Sequence, residues 1–160
     1  MRSTLLVVDD EVYVRESLRK LLQAEDYEVI LAADGKEAVD KFRVDPAHFG
    51  LVLTDLNMPI RNGWASVDRL LELSPLLPIV VLTGMSNQRE LAENSGVSAL
   101  VEKPIDVPKF LDLLQDLLAN SQRGACNGPP APHPPFHYLC SSRSSNEQPV
   151  DPYAHWGLNE

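Results

Sequence analysis

The most informative stretch of the chain is LVLTDLNMP, which spans residues 51–59. Its first part, Leu51–Thr54, is short and apolar, as expected for a strand that is covered on both faces of a parallel sheet. Asp55 follows at the predicted end of this strand, and Pro59 marks the loop beyond it. Ligands of open α/β sheets bind beyond the carboxyl ends of the strands, so Asp55 is a candidate functional residue.

The alternation of a short apolar run with a helical stripe recurs over about 120 residues. The predicted strands are Leu5–Val8, Glu28–Ala32, Leu51–Thr54, Ile79–Leu82 and Ala99–Val101. The helical stripes between and after them contain Leu18, Val39, Val67, residues 87–95 and Leu114. Strands that alternate with helices predict right-handed crossovers and a mostly parallel sheet with helices on both faces. The predicted fold class is therefore doubly wound α/β.

The composition changes near residue 120. Residues 1–120 carry 20 acidic and 12 basic residues together with regular apolar periodicity, which predicts one folded domain. Residues 121–160 contain seven of the 13 prolines, three of the four histidines and both cysteines, with almost no aliphatic pattern. We expect this Pro/Ser-rich, low-complexity tail to be disordered.

Charge and hydropathy exclude several classes of function. A net charge of −9 argues against a nucleic-acid binder and against a polybasic membrane anchor. No apolar run approaches the roughly 20 residues of a membrane-spanning helix, and Leu5–Val8 is too short for a signal peptide. The first 120 residues contain no cysteine, so disulfides do not hold this part of the chain together. We expect a soluble, cytoplasmic protein.

Polar residues follow four of the five predicted strands. Asp9 and Asp10 follow the first strand, Asp55 the third, Thr83 the fourth and Lys103 the fifth. Carboxylates that share one pocket repel each other, and Mg²⁺ with its preference for oxygen ligands would relieve this repulsion. A carboxylate beside the metal can attack a phosphoryl group and become an aspartyl phosphate. The lysine would offset charge on the phosphoryl oxygens, and the threonine hydroxyl could bond one of them.

These residues, in this order, resemble the response-regulator receiver domain of two-component signalling. The resemblance rests on Asp9-Asp10, on Asp55 with Asn57-Met58-Pro59, on Thr83 and on Lys103-Pro104, and it covers about residues 3–120. It implies a flavodoxin-like, five-stranded parallel sheet with strand order 2-1-3-4-5.

The resemblance also implies a metal site and a phosphoacceptor. Asp55 would accept a phosphoryl group from a sensor histidine kinase or a phosphotransfer protein. Asp10, Asp55 and the backbone carbonyl of Asn57 would ligate Mg²⁺, with Asp9 acting through the water shell of the metal. A protein of this family catalyses only its own phosphorylation and dephosphorylation, so we expect no other enzymatic activity.

Two further positions carry the expected readout of phosphorylation. Lys103 would bond the phosphoryl group, with a cis peptide before Pro104. Thr83 would be the switch hydroxyl that moves toward this group. The family usually has an aromatic residue where this chain has Leu100, so the usual threonine–aromatic coupling cannot operate in its ordinary form.

The output of the domain is less constrained by the sequence. Forty residues of low-complexity tail cannot form a DNA-binding or catalytic domain, so we expect a stand-alone receiver that binds a protein partner or relays its phosphoryl group, with no direct contact to nucleic acid or membrane. The broad apolar face of the last helix, from Phe110 to Leu118, is either buried in the domain or a dimer surface.

Three other functions use the same features. A phosphorylation-independent scaffold would keep the fold, and Leu100 favours it to some extent. An Mg²⁺-dependent aspartyl phosphohydrolase would usually need a second acid two residues beyond a nucleophile on the first strand, where this chain has Glu11, and a cap over the substrate. A flavodoxin-like electron carrier would need a phosphate-binding loop after the first strand, which Asp9 and Asp10 would repel.

The tail contains one possible metal-binding pattern. Two thiols and two imidazoles could form a tetrahedral zinc site, and the residues concerned are Cys126, His133, His137 and Cys140. Five prolines between positions 129 and 135 stiffen the intervening chain, and the spacing matches no short zinc knuckle. We therefore expect disorder rather than a metal site.

Overall fold

The computed structural model describes residues 2–56, 63–85, 87–124 and 135–140. Within these ranges the strands are β1 (Thr4–Val8), β2 (Glu28–Ala32), β3 (Phe49–Asp55), β4 (Ile79–Thr83), β5 (Ala99–Glu102) and β6 (His137–Leu139). The helices are α1 (Val12–Ala24), α2 (Gly35–Val44), α3 (Gly63–Leu73), α4 (Arg89–Ser95) and α5 (Val107–Gly124).

The strands form one parallel sheet with the order β2-β1-β3-β4-β5-β6. The order of the first five strands and the doubly wound α/β class confirm the prediction. Every residue of β1 and of β4 is buried, as the all-apolar runs indicated. Buried strands of this kind read as continuous apolar runs because helices cover both faces of the sheet.

Two hydrophobic clusters lie on opposite faces of the sheet. Leu5 and Val7 of β1 point to the face covered by α1 and α5, whereas Leu6 and Val8 point to the face covered by α2, α3 and α4. This alternation follows from the two-residue period of a strand. Burial of a large aliphatic side chain contributes about 1.5–3 kcal/mol, so these clusters hold the strand ends in fixed positions.

The apolar face of α5 belongs to the second cluster. Phe110, Leu113, Leu114, Leu117 and Leu118 are buried, and Leu111 packs partly buried against the same cluster. The breadth of this face, which had suggested a dimer surface, is therefore explained by packing within the chain. Among the described residues, no helix is long and apolar enough to cross a membrane.

Strand β6 corrects the prediction for the tail. His137, Tyr138 and Leu139 pair with Ala99, Leu100 and Val101 of β5, so this part of the tail is a sixth strand and not disordered. Its side chains alternate between the two hydrophobic clusters, with Tyr138 on the α4 side and Leu139 on the α5 side. A run of three residues beside a proline-rich segment is too short to show this period in sequence.

Candidate functional site

Three carboxylates and one amine meet at the carboxyl edge of the sheet. Asp9 follows β1, Asp55 ends β3 and Lys103 follows β5, so parallel pairing brings the three to one rim. Carboxylate oxygens of Asp9, Asp10 and Asp55 lie within 4.8 Å of one another. Asp9 is only 1% exposed and Asp55 only 3%, whereas Asp10 is exposed.

Lys103 connects two of these carboxylates. Its Nζ lies 2.9 Å from Oδ2 of Asp55 and 3.9 Å from Oδ2 of Asp9. The backbone N–H of Lys103 donates to the carbonyl of Thr83 at 2.8 Å, which fixes the strand end from which the side chain reaches into the pocket. The peptide bond to Pro104 is cis. One ammonium group thus faces a pocket that holds three carboxylates.

Asp9 shows that the pocket is short of positive charge. Its Oδ1 accepts a hydrogen bond from the backbone N–H of Glu11 at 2.9 Å, but its buried Oδ2 has no hydrogen-bond partner within the described part of the chain. Burial, and secondarily the charge of Asp55, raise the pKa of Asp9 to about 6, against the opposing effects of the Glu11 N–H and Lys103. A hard divalent cation would satisfy this oxygen and lower the repulsion, so the pocket fits Mg²⁺.

Thr83 lies beside this pocket at the end of β4. Asp55 pairs with Leu82 in the β3–β4 register, so Thr83 is the next residue beyond the partner of Asp55. Its hydroxyl is fully buried and accepts a hydrogen bond from the backbone N–H of Met85 at 3.0 Å. In this structure the hydroxyl therefore holds the loop that leads to α4.

Leu100 lies in the centre of the sheet rather than at the pocket. It is fully buried in the cluster on the α4 side and pairs with Val81 of β4 and with Tyr138 of β6. An aromatic side chain does lie beside this position, but it comes from β6 and not from β5.

Several residues singled out in the sequence fall elsewhere. Asn57, Cys126 and His133 lie outside the described residues. His137 is part of β6, and Cys140 follows it with its Sγ 3.4 Å from Oε2 of Glu102.

Sequence reasoning missed a second polar cluster, on the β5–β6 edge. The hydroxyl of Tyr138 donates to Oε1 of Glu102 at 2.5 Å, and the guanidinium of Arg89 lies 5.0 Å from the centroid of the Tyr138 ring. The only signal in the sequence was the short run of large side chains Phe136, Tyr138 and Leu139, which is too short to show a strand period beside a proline-rich segment.

The model of the response regulator receiver domain family matches residues 5–115. This chain belongs to that family. The receiver is 34% identical over 117 residues to the autoinducer 1 sensor kinase/phosphatase LuxN of Vibrio campbellii, a match that covers 73% of this chain but only 13% of LuxN. It is 29% identical to the chemotaxis protein CheY of Treponema pallidum, with 71% of this chain and 81% of CheY covered.

A solved relative shows which ligand such a domain can hold. The response regulator TrrA of Thermotoga maritima, solved in complex with Mg²⁺ and BeF, is 30% identical to this receiver. The two superpose with a TM-score of 0.65 over 72% of this chain and 98% of that one. The receiver described here is thus a domain of two-component signalling.

Proposed function

We propose that Asp55 accepts a phosphoryl group from a histidine kinase or a phosphotransfer protein, with Mg²⁺ bound beside it. The observation that carries this proposal is the buried carboxylate of Asp55, which is paired with Lys103 at 2.9 Å and clustered with Asp9 and Asp10. A structural ion pair alone would not require two further carboxylates within 4.8 Å.

The pocket residues supply the steps of an in-line transfer. A carboxylate oxygen of Asp55 forms a bond to phosphorus, and the bond between phosphorus and the donor group breaks as the donor keeps the electron pair. The carboxylate of Asp55 loses its own charge when its oxygen is phosphorylated, so the Lys103 ammonium is freed to bond a phosphoryl oxygen instead. Thr83, one residue beyond the Asp55 pairing, supplies a hydroxyl for a second phosphoryl oxygen.

The acidic residues around Asp55 would hold the metal. Asp10 and Asp55 are the direct ligands that the family resemblance implies, together with the Asn57 carbonyl, and Asp9 acts through the water shell. When bound, Mg²⁺ offsets the charge that develops on the transferring phosphoryl group. The buried Oδ2 of Asp9, which has only a long contact to Lys103 at 3.9 Å and no hydrogen-bond partner among the described residues, supports a cation at this place.

The signal would pass onward through protein contacts or phosphoryl relay in the cytoplasm. The net charge of −9 supports a protein partner rather than a nucleic acid or an anionic membrane.

A scaffold that does not need phosphorylation is the second candidate, and Leu100 is the observation that favours it. A scaffold would bind its partner equally well with and without modification of Asp55. A pull-down that compares the phosphorylated chain with Asp55→Asn therefore separates the two functions.

A beryllofluoride titration tests the proposal on the full chain. Trp64 lies on α3 and packs against the cluster on the α4 side, and the Trp156→Phe variant leaves it as the only tryptophan. We expect its emission to change with beryllofluoride only when Mg²⁺ is present, and not in Asp55→Asn. An emission that is unchanged in the folded protein, together with no bound beryllium by mass, would contradict the proposal.

A further inference from the structure

Strand β6 is the edge strand of the sheet, next to β5, and the side chains of this segment pack on both faces of the sheet. Phe136 and Tyr138 pack against the hydrophobic cluster on the α4 side, and Leu139 packs against the cluster on the α5 side. The backbone N–H of His137 donates to the carbonyl of Ser98 at 3.0 Å, which fixes the register. A segment of only three strand residues gains little from its own backbone bonds, so these side-chain contacts hold it in place.

Tyr138 makes two polar contacts with residues of other elements. Its hydroxyl donates to Glu102 at 2.5 Å, and its ring faces the guanidinium of Arg89 at 5.0 Å. The bond to Glu102, and secondarily burial, raise the pKa of the Tyr138 phenol, so it remains a protonated donor. A hydrogen bond to a charged acceptor is stronger than one between neutral groups, which makes Glu102 the main anchor of β6.

Both partners of Tyr138 are attached to the phosphoacceptor pocket. Glu102 directly precedes Lys103, whose amine is bonded to Asp55. Glu102 also pairs with Thr83 in the β4–β5 register. Arg89 begins α4, at the end of the loop whose first turn is held by the Thr83 hydroxyl. Asp55 is therefore connected to Tyr138 along β5 through Lys103 and Glu102, and Arg89 begins the helix that follows Thr83 in the chain.

We propose that the β5 edge is a strand-docking surface that the chain's own Phe136–Cys140 segment occupies while Asp55 is unmodified and leaves when Asp55 is phosphorylated. This inference rests on the proposed function of Asp55. The segment would be released because Lys103 and Thr83 must turn toward the phosphoryl group, and this movement displaces Glu102 and Arg89. Displacement of Glu102 removes the acceptor of the Tyr138 hydroxyl and so weakens the attachment of β6.

The edge of β5 that β6 leaves would offer both backbone hydrogen bonds and apolar contacts to a new strand. It presents the backbone N–H and C=O groups of β5 together with an apolar slot beside Leu100, which fits an extended peptide with aromatic residues at every second position. Phosphorylation would exchange an internal strand for such a segment of a partner.

Coupling between the two sites must act in both directions. If phosphorylation at Asp55 weakens the docking of β6, then weaker docking of β6 must favour phosphorylation by the same factor. Tyr138→Phe removes the hydroxyl and keeps the ring, so it weakens docking with little change in packing. Tyr13→Phe is the matched control, because Tyr13 is 88% exposed.

Hydrogen exchange of the full chain, followed by mass spectrometry of the peptide covering residues 136–140, tests this inference. We expect beryllofluoride with Mg²⁺ to speed exchange of the β6 amides at least about tenfold in the wild type, but not in Asp55→Asn. Tyr138→Phe should speed the same exchange without beryllofluoride and should tighten the apparent binding of beryllofluoride, whereas Tyr13→Phe should match the wild type.

The outcomes separate this inference from the proposed function. Beryllofluoride that binds at Asp55 while β6 exchange stays unchanged or slows would overturn the release of the strand and leave the phosphoacceptor role intact. Exchange in Tyr138→Phe equal to that in Tyr13→Phe would overturn Tyr138 as the anchor. Failure of beryllofluoride to bind the folded protein would overturn both proposals.

Discussion

The acidic pocket and the β5–β6 edge each pair a carboxylate with a donor, yet their charges are arranged differently. In the pocket, three carboxylates face the ammonium of Lys103 among the residues that the structure describes, and Asp9 and Asp55 are buried. On the edge, the carboxylate of Glu102 meets a neutral phenol, and the cation of Arg89 lies nearby. The pocket lacks positive charge and so fits a metal and a phosphoryl group, whereas the edge is balanced and suits a reversible contact.

Removal of the Lys103 amine should produce the largest effect and would show whether the pocket is short of positive charge. Lys103→Met is expected to slow phosphorylation of Asp55 by acetyl phosphate about 10²-fold, the usual cost of losing one charge-stabilising group. Lys109→Met is the matched control, because Lys109 is exposed and, among the described residues, forms an ion pair only with Asp106, which directly precedes α5. A Lys103→Met rate close to that of the control would mean that this amine does not act on the phosphoryl group.

The Asp9→Asn variant tests the same excess of negative charge in the pocket through its effect on folding stability. The pKa of Asp9 is raised to about 6 in the folded state, so ionisation of Asp9 costs folding stability as the pH rises from about 4 through about 6. Asp9→Asn removes this cost and should stabilise the metal-free protein by about 1–3 kcal/mol near pH 7.5, with a much smaller gain near pH 4.5. Urea unfolding at the two pH values measures the difference.

Mg²⁺ should reverse the order of stability of the wild type and Asp9→Asn. The cation relieves the repulsion in the wild type, so Mg²⁺ should stabilise the wild type more than Asp9→Asn near pH 7.5. An Asp9→Asn variant that is destabilised equally at both pH values would show that Asp9 is a structural residue whose charge costs nothing.

On the β5–β6 edge, Tyr138→Phe should have a smaller effect on global stability, about 1 kcal/mol, since it removes one hydrogen bond from a marginal strand. Denaturant unfolding beside Tyr13→Phe gives the comparison. A loss of about 3 kcal/mol or more, the size expected for truncation of a buried core side chain, would mean that β6 is an integral part of the core.

Arg89→Gln should have the smallest effect. The guanidinium faces the Tyr138 ring and pairs with Glu93 at 3.1 Å, both at a partly exposed site, so we expect a loss of about 0.5 kcal/mol. A double-mutant cycle with Tyr138→Leu, which removes the aromatic ring, measures the ring contact, and a coupling energy of zero would mean that Arg89 does not contribute to the contact between α4 and β6.

The sequence predicted the first five strands and the pocket well for a physical reason. Asp55 and Lys103 each follow a run whose burial on both faces demands apolar residues, so the strand ends could be located from composition alone. The order β2-β1-β3-β4-β5 came from the family resemblance, because periodicity does not encode which strands are neighbours.

Strand β6 could not be predicted in the same way. Its three residues owe their conformation to the open edge of β5 and to Glu102, which lies 36 positions from Tyr138 in the chain. The broad apolar face of α5 left burial and a dimer surface both open in the sequence, and the structure shows that residues from Phe110 to Leu118 pack into one face of the sheet.

We propose above that Asp55 is the phosphoacceptor of a Mg²⁺-dependent pocket. Intact mass measurement and peptide mapping after incubation of the full chain with acetyl phosphate and Mg²⁺ are the decisive experiment. We predict one added phosphoryl group that maps to Asp55, disappears without Mg²⁺ and is absent from Asp55→Asn. A folded chain that gains no phosphoryl group, or one that gains it equally in Asp55→Asn, would contradict the claim.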